Sequence, residues 1–325
     1  MPTIKWGIIG CGDVCEVKSG PGFYKAENSA LTIVMRRDGE KAADFAKRHN
    51  VSESTDNADE VINHPNVDAV YIATPPSSHC EYALKVAEAG KPCYVEKPMA
   101  LNYRECQQMV DAFKAKNVPL YVAYYRRGLP RFLKVRELLQ EGAIGQPTSV
   151  HIVHYGKLAT GEKAKNWRYD PTVAGAGTFL DLASHGLDIL DFLISPIKRA
   201  SGFALNTGKA YDAEDATTGA FEFESGVVGT GVWNFNANYG AEYIVISGTQ
   251  GEIKTPVFGD TDIILKRNGQ EETISAPNPP HVHQPLIQSI VNELNGQGQC
   301  ASTGESGARA SWAMDQCLLT YYGER

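Results

Sequence analysis

The first third of the chain alternates short apolar runs with amphipathic stretches. Strands are expected at Ile4–Ile9, Leu31–Met35, Ala69–Ala73, Pro92–Val95 and Pro119–Tyr124. Helical patterns lie between them at Glu40–His49, Ser78–Ala89 and Tyr103–Lys116. Strands that alternate with helices of this length build right-handed β-α-β units, which predicts a parallel sheet with helices on both faces. The run Val70-Tyr71-Ile72-Ala73 is apolar throughout, as a strand covered on both sides should be.

The pattern changes after Tyr125. A helix over Arg131–Glu141 leads to a strand over Thr148–Tyr155, then to a Lys- and Gly-rich loop and a helix over Thr178–Leu193. From Ala200 to Leu265 the alternation becomes strand-like, with Gly, Asn and Asp at the turns: Ala216–Glu224, Gly226–Asn236 and Glu242–Gly248. Helical patterns return at Gln284–Leu294 and Ser306–Tyr321. The expected organisation is an α/β domain over 1–124 and an α+β domain with a mostly antiparallel sheet over 125–325.

Composition narrows the class. With 325 residues, 42% apolar and 21% charged, the chain reads as globular material of about two domains. No window reaches the roughly 18 apolar residues of a membrane helix, and the opening Met1–Gly10 lacks the shape of a signal peptide. A net charge of −7 with dispersed basic residues argues against nucleic-acid binding. The seven cysteines (11, 15, 80, 93, 106, 300 and 317) contain no C-x-x-C pair. They read as mostly buried, reduced thiols of a cytoplasmic protein, with no metal site built on them.

Chemistry-bearing residues collect where strands are expected to end. Gly7-Ile8-Ile9-Gly10-Cys11-Gly12-Asp13-Val14-Cys15 follows the first strand and should open a helix. In a Rossmann fold such glycines give a tight turn and close backbone approach to a pyrophosphate at the helix N-terminus, here from Gly10, Gly12, Asp13 and Val14. Cys15 stands at the third, small-residue position. The second strand ends Val34-Met35-Arg36-Arg37-Asp38, where an NAD enzyme would place an acid for the ribose hydroxyls. Arg36 and Arg37 suit a 2′-phosphate instead, since guanidinium binds phosphate through paired hydrogen bonds. NADP is therefore expected, with NAD the alternative through Asp38. The stretch Lys18–Phe23, with Gly20-Pro21-Gly22, is expected to break the first helix early and turn Lys18 towards the cofactor.

Two further loops fall at the carboxyl edge of the first sheet, where ligands of such folds bind. Thr74-Pro75-Pro76-Ser77-Ser78-His79 is a proline-locked turn, and Glu96-Lys97-Pro98 sets a lysine between a carboxylate and a proline. In the second half, Asp181 and His185 are four apart and share a helix face within an apolar stretch. That spacing allows a buried Asp–His hydrogen bond, an acid/base pair or metal ligation. No third ligand with matching spacing appears, so no metal is expected.

Together, G-I-I-G-C-G at Gly7–Gly12, A-T-P-P at Ala73–Pro76, E-K-P at Glu96–Pro98 and D-x-x-x-H at Asp181–His185 resemble the glucose–fructose oxidoreductase, inositol dehydrogenase and MocA family across essentially the whole chain. The resemblance implies a Rossmann domain followed by an α+β domain with a large open sheet. One face of that sheet would form a subunit interface, hence a homodimer or homotetramer. It implies hydride transfer between nicotinamide and a hydroxyl or carbonyl carbon of a sugar, polyol or cyclic diol. Lys97 would lie beside nicotinamide and the reacting oxygen, His185 would act as acid/base, and Asp181 would orient substrate hydroxyls. Thr74, Pro75, His79 and Glu96 would help hold the cofactor. Trp167-Arg168 resembles a pair that approaches the cofactor in some NADP-using members. Tyr125 and Arg126, at the domain crossing, and His283 in Pro279-Pro280-His281-Val282-His283 are candidate substrate contacts, with hinge packing and solvated loop histidines as the plain alternatives. The competing function is an NADP-binding regulator without catalysis. Retention of Lys97, Asp181 and His185 argues against it.

Overall fold

The computed structural model describes residues 1–325. The chain forms, in order, β1 (Ile4–Ile9), α1 (Gly20–Lys25), β2 (Ser29–Met35), α2 (Gly39–Arg48), β3 (Glu53–Thr55), α3 (Ala58–Ile62), β4 (Ala69–Ile72), α4 (His79–Glu88), β5 (Cys93–Val95), α5 (Tyr103–Lys116) and β6 (Leu120–Val122). It continues through α6 (Pro130–Gln140), β7 (Pro147–Tyr155), α7 (Pro171–Ala174), α8 (Thr178–Leu193), β8 (Ile197–Leu205), β9 (Ala216–Phe223), β10 (Val228–Asn234) and β11 (Ala241–Gly248). The last elements are β12 (Gly251–Thr255), β13 (Ile263–Arg267), β14 (Gln270–Ile274), α9 (Gln284–Leu294) and α10 (Gly304–Tyr322).

The six-stranded sheet has the order β3-β2-β1-β4-β5-β6, and every pair in it is parallel. β1 lies between β2 and β4, with Ile8 opposite both Val34 and Tyr71. The strand order reverses at this point, and parallel strands all end on the same edge. Gly10, Arg36, Thr74 and Glu96, each just past a strand end, are thereby brought to the edge where doubly wound sheets bind ligands. Trp6, Phe23, Tyr71 and Tyr94 are fully buried against one another beneath it, with ring centroids 5.0–6.3 Å apart.

The first helix is not broken where Gly20-Pro21-Gly22 suggested. A π-helical turn over Cys15–Ser19 runs directly into α1. Pro21 falls in the first turn of α1, where its missing N–H is not needed. The glycines serve close packing: a Cβ on Gly20 would lie 2.1 Å from the Cys15 carbonyl oxygen, and one on Gly22 would lie 2.7 Å from Ile287 Cδ1 of α9. Lys18 is exposed on this turn.

The eight-stranded sheet has the order β14-β13-β12-β11-β7-β10-β9-β8 and is antiparallel except for β7 with β10. Ile152, Phe221, Trp233, Ile244, Ile246 and Ile253 are buried in its core. α8 packs closely here, since a Cβ on Gly186 would lie 2.4 Å from Ile152 Cδ1. Phe203, Leu205 and Val228 are instead exposed, at 70%, 61% and 56%. β3, β8 and β12 to β14 are not individually marked by the sequence pattern. They are short or lie towards a sheet edge, where a one-sided apolar alternation is weak.

Two compact units result: 1–100, 104–129 and 279–308 form one, and 101–103, 130–278 and 309–325 form the other. A single cut near 124 therefore misses the return of α9 to the first unit. Its Leu286, Ile287, Ile290 and Val291 are buried, and α1 is among the elements it packs against. No helix is long and apolar enough to cross a membrane.

Candidate active site

In the first unit the glycine turn is shaped as a phosphate cradle requires. Gly10 has φ +93°, and a Cβ there would lie 2.9 Å from Thr74 N. At Gly12 an added Cβ would meet only the Gly10 carbonyl oxygen, at 3.9 Å, which leaves open space for an approaching ligand. The Gly12 carbonyl accepts from the N–H groups of Cys15 and Glu16. The N–H groups of Asp13 and Val14 belong to the first turn, which a helix leaves without internal acceptors. Cys15 is fully buried, its thiol 3.8 Å from the Gly10 carbonyl oxygen, so it fills the small-residue position without opening the turn.

A cavity of about 410 Å³ is lined by Gly10, Gly12, Arg36, Arg37, Thr74 and Pro75, together with Met35, Asp38, Lys41, Ala73, Ser77, Ser78 and Tyr82. Its residues come from the ends of β1, β2 and β4, so one space joins the glycine turn to the two arginines. Asp38 does not offer a free carboxylate to it. Its side chain caps α2 by accepting from Lys41 N–H at 3.2 Å and pairs with the Lys41 ammonium at 2.8 Å. Ser78 Oγ donates to Thr74 Oγ1 at 2.8 Å and so fixes the A-T-P-P turn. The sequence did not single out Lys41 or Tyr82 as lining this cavity. Ser77 and Ser78 lie in the A-T-P-P loop already placed at the ligand edge, whereas Lys41 and Tyr82 sit on α2 and α4 after the motif loops, where a Lys and a Tyr carry no distinctive pattern.

His79 is fully buried, with Nε2 2.7 Å from the Thr74 carbonyl oxygen and Nδ1 3.1 Å from that of Pro98. It ties the A-T-P-P turn to the E-K-P turn rather than presenting a free ring to a ligand. Glu96 is 7% exposed. Its carboxylate accepts from the Tyr71 hydroxyl at 2.5 Å and from Lys97 N–H at 3.1 Å, and Tyr71 Oη lies 3.1 Å from Ser19 Oγ. Burial pushes the Glu96 carboxyl above the usual range, while the Tyr71 bond and the charges of Lys97 and Lys18 pull it back. Lys97 follows at the strand end, half-buried. Tyr71 was legible only as an apolar strand residue; its supporting hydroxyl becomes visible once β4 and β5 are side by side.

The residues placed at the domain crossing gather in the same unit. His283 is buried and stacks on Tyr125 at 4.3 Å, while the Arg126 guanidinium lies 4.9 Å from the Tyr125 ring. Tyr94 Oη is 3.2 Å from His283 Nδ1. Burial pushes His283 down to about 3, and the charges of Lys18, Arg126 and Lys97 add to the effect. His283 is thus a packed neutral ring at the start of α9, not a solvated loop histidine. His281 is elsewhere engaged, 2.8 Å from the Lys25 ammonium.

In the second unit, α8 carries Asp181 in its first turn and His185 one turn later. His185 is 4% exposed, its ring nearly perpendicular to that of Phe258 with centroids 5.6 Å apart, and the Phe258 centroid in turn lies 5.1 Å from that of His154. Asp181 is half-buried, with Arg168 Nε 3.9 Å from its carboxylate. Arg168 also stacks on Trp167 at 4.5 Å. The structure therefore places Arg168 beside Asp181, with Trp167 against Arg168, within the unit that carries His185.

Comparison with known proteins agrees with this architecture. Residues 4–124 match the model of an oxidoreductase family with an NAD-binding Rossmann fold, and residues 132–254 match the GFO/IDH/MocA C-terminal domain. The chain is 40% identical to Oxidoreductase P35 of Formosa agariphila over 96% of this chain and 97% of that one. It is 26% identical to the 1,5-anhydro-D-fructose reductase of Ensifer adhaerens, over 93% and 92%. Levoglucosan dehydrogenase in complex with NADH and levoglucosan superposes with a TM-score of 0.88, at 22% identity, over 98% of this chain and 96% of that one, a likeness of fold. On these matches, the chain belongs to the GFO/IDH/MocA family of NAD(P)-binding oxidoreductases.

Proposed function

We propose that the protein is an NADP-preferring oxidoreductase that moves a hydride between nicotinamide and a hydroxyl or carbonyl carbon of a sugar, polyol or cyclic diol. The observation that carries the cofactor choice is the cavity at the end of β2, where Arg36 and Arg37 face the glycine turn while Asp38 is committed to α2 and Lys41. A 2′-phosphate there meets guanidinium groups rather than a carboxylate. NADH, which the levoglucosan dehydrogenase structure contains, is the competing cofactor.

Gly10 and Gly12, whose own N–H groups are donated to Met35 and Gly10 carbonyls, let the pyrophosphate approach the backbone closely, Asp13 and Val14 hold it through backbone N–H groups, and Thr74 and Pro75 wall the site, with His79 and Glu96 fixing the loops behind it. The bound nicotinamide supplies or accepts the hydride. Lys97 places its ammonium where negative charge develops on the reacting oxygen. His185 moves the hydroxyl proton, a task suited to an imidazole. Asp181, with Arg168 beside it, orients substrate hydroxyls. Tyr125, Arg126 and Trp167 are further contacts, with His283 acting through its stack on Tyr125. Sugar-class substrates fit the names of relatives such as the anhydrofructose reductase and levoglucosan dehydrogenase. NADP preference favours the reductive direction. The exposed Phe203, Leu205 and Val228 support a homodimer or homotetramer through the eight-stranded sheet. Six buried free cysteines suit a reducing, cytoplasmic setting.

The test is titration with NADPH and NADH followed by an absorbance screen against anhydro-sugars, ketoses, inositols and cyclic diols. Tighter NADPH binding with turnover of a panel member is the expected result. Tight binding without turnover would move the assignment to an NADP-binding regulator.

A further inference from the structure

α8 enters without a side-chain cap of its own: its N-cap is Gly177. Instead, Gly177 N–H donates to a carboxylate reached from another part of the chain, 3.0 Å from Glu214 Oε1 and 2.9 Å from Oε2. Glu214 is fully buried, and the Tyr322 hydroxyl from α10 donates to its Oε2 at 2.6 Å. The approach depends on glycine, because a Cβ at 177 would lie 2.4 Å from the Glu214 carbonyl oxygen and 2.9 Å from Oε1.

The same corner is tied down from two more directions. Arg325 stacks on Tyr322 at 4.9 Å and donates to the carbonyl oxygens of Gly175 and Leu101. Asp215, next to Glu214 and also buried, accepts from Thr207 N–H at 2.8 Å and Gly208 N–H at 2.6 Å, which anchors the segment that presents Glu214.

Burying a carboxylate costs more than a helix cap returns, and a Ser or Asn at the N-cap would satisfy the same donor without that cost. Burial pushes the Glu214 carboxyl upward, yet the groups bonded to it, Gly177 N–H and Tyr322 O–H, are both donors, and a negative charge suits a helix N-terminus. The carboxyl is held by Gly177 N–H and Tyr322 O–H against the cost of its burial. That cost is spent at the entry of the helix that carries Asp181 and His185.

We infer that Glu214 and Tyr322 are positioning residues for the reaction, acting through the first turn of α8 to set Asp181 and His185. The role rests on the assignment of His185 and Asp181 to proton transfer and substrate orientation made above. Neither residue touches substrate; each acts by fixing the angle and depth at which the helix enters.

The experiment compares Tyr322→Phe, Glu214→Gln and His185→Asn in the full-length protein, reading kcat, cofactor Kd and the ring NMR signals of the histidines. Because small misplacement of reacting groups costs up to about a hundredfold in rate, Glu214→Gln should lower kcat by ten- to a hundredfold and Tyr322→Phe by about three- to tenfold. The His185 ring signals should shift in both variants, while those of His79 and His283 and the cofactor Kd stay in place. Unchanged kcat and unmoved His185 signals in both variants, with His185→Asn inactive, would overturn the positioning role alone. All histidine signals moving together would show general loosening and overturn it too. Full activity of His185→Asn would remove the catalytic assignment and the positioning role with it.

Discussion

Glu96 and Glu214 are buried carboxylates with nearly the same surroundings in different units. Each accepts a tyrosine hydroxyl, from Tyr71 at 2.5 Å and Tyr322 at 2.6 Å. Each accepts a backbone N–H at the start of a segment with chemistry assigned to it, Lys97 in one case and Gly177 in the other. Burial pushes both carboxyls upward. They differ in where the partners come from. Glu96 is adjacent in sequence to the lysine it steadies, whereas Glu214 is 37 residues from Gly177 and 108 from Tyr322. A charge-assisted hydrogen bond contributes about 1.5–3 kcal/mol, enough in either place to hold a loop or helix entry against thermal drift. One support joins a tripeptide to Tyr71 of the neighbouring strand; the other exists only after the sheet and α10 are assembled.

The largest effects should come from the groups these carboxylates support. Lys97→Met and His185→Asn should each lower kcat by about a hundredfold or more, the scale of lost charge stabilisation or proton transfer, with NADPH Kd within severalfold. Steady-state rates and a fluorescence titration check this. Glu96→Gln, which keeps shape but removes the charge beside Lys97, should lower kcat by about tenfold, on the scale of one charged hydrogen bond. Equal losses in Glu96→Gln and Glu214→Gln would show that the two supports do the same job. A loss confined to Glu96→Gln would separate them.

Cofactor choice comes next in size. Arg36→Asp should shift the NADPH-over-NADH preference by about 1.5–3 kcal/mol, the worth of a charged hydrogen bond, read from paired Kd values. An unchanged ratio would mean that the 2′-phosphate is held elsewhere.

The smallest expected effect is on stability against pH. His283 is held neutral at about 3 in the fold, below its ordinary 6.5. A depressed histidine gives stability that is whole above the unfolded value and is lost as pH falls towards the folded one. The raised carboxyls of Glu96 and Glu214 act in the opposite sense, favouring the fold as pH drops. Replacing His283 with Gln should therefore flatten the fall in Tm between about pH 6.5 and pH 4, within the window of the histidine shift. An identical slope would remove His283 from the acid response.

Local features were legible. Hydrophobic period located β1, α5, α8 and α9 at or within a residue of their ends, because each has a strong pattern and a clear start or stop. The glycine turn, Arg36 and Arg37, and the tripeptide at Glu96 could be found because their partners follow in sequence or sit at strand ends. Pro21 misled because a proline in a first helical turn reads the same as a breaker. The packing of His283 is not legible because nothing local signals that Tyr94 and Tyr125 will enclose it. Glu214 and Tyr322 were invisible for the same reason: an acid before a strand and a tyrosine in a helix are ordinary until packing joins them.

The most direct test of the central claim follows the hydride itself. With reduced cofactor deuterated at the transferring position and a carbonyl substrate from the panel, a ketose or anhydro-ketose, mass spectrometry of the product should find deuterium on the new carbinol carbon, and none with Lys97→Met under the same conditions. Product formed without deuterium, or no product from the carbonyl members with reduced cofactor and none from the alcohol members with oxidised cofactor despite tight cofactor binding, would contradict the assignment of this chain as a hydride-transferring enzyme of sugar-like substrates.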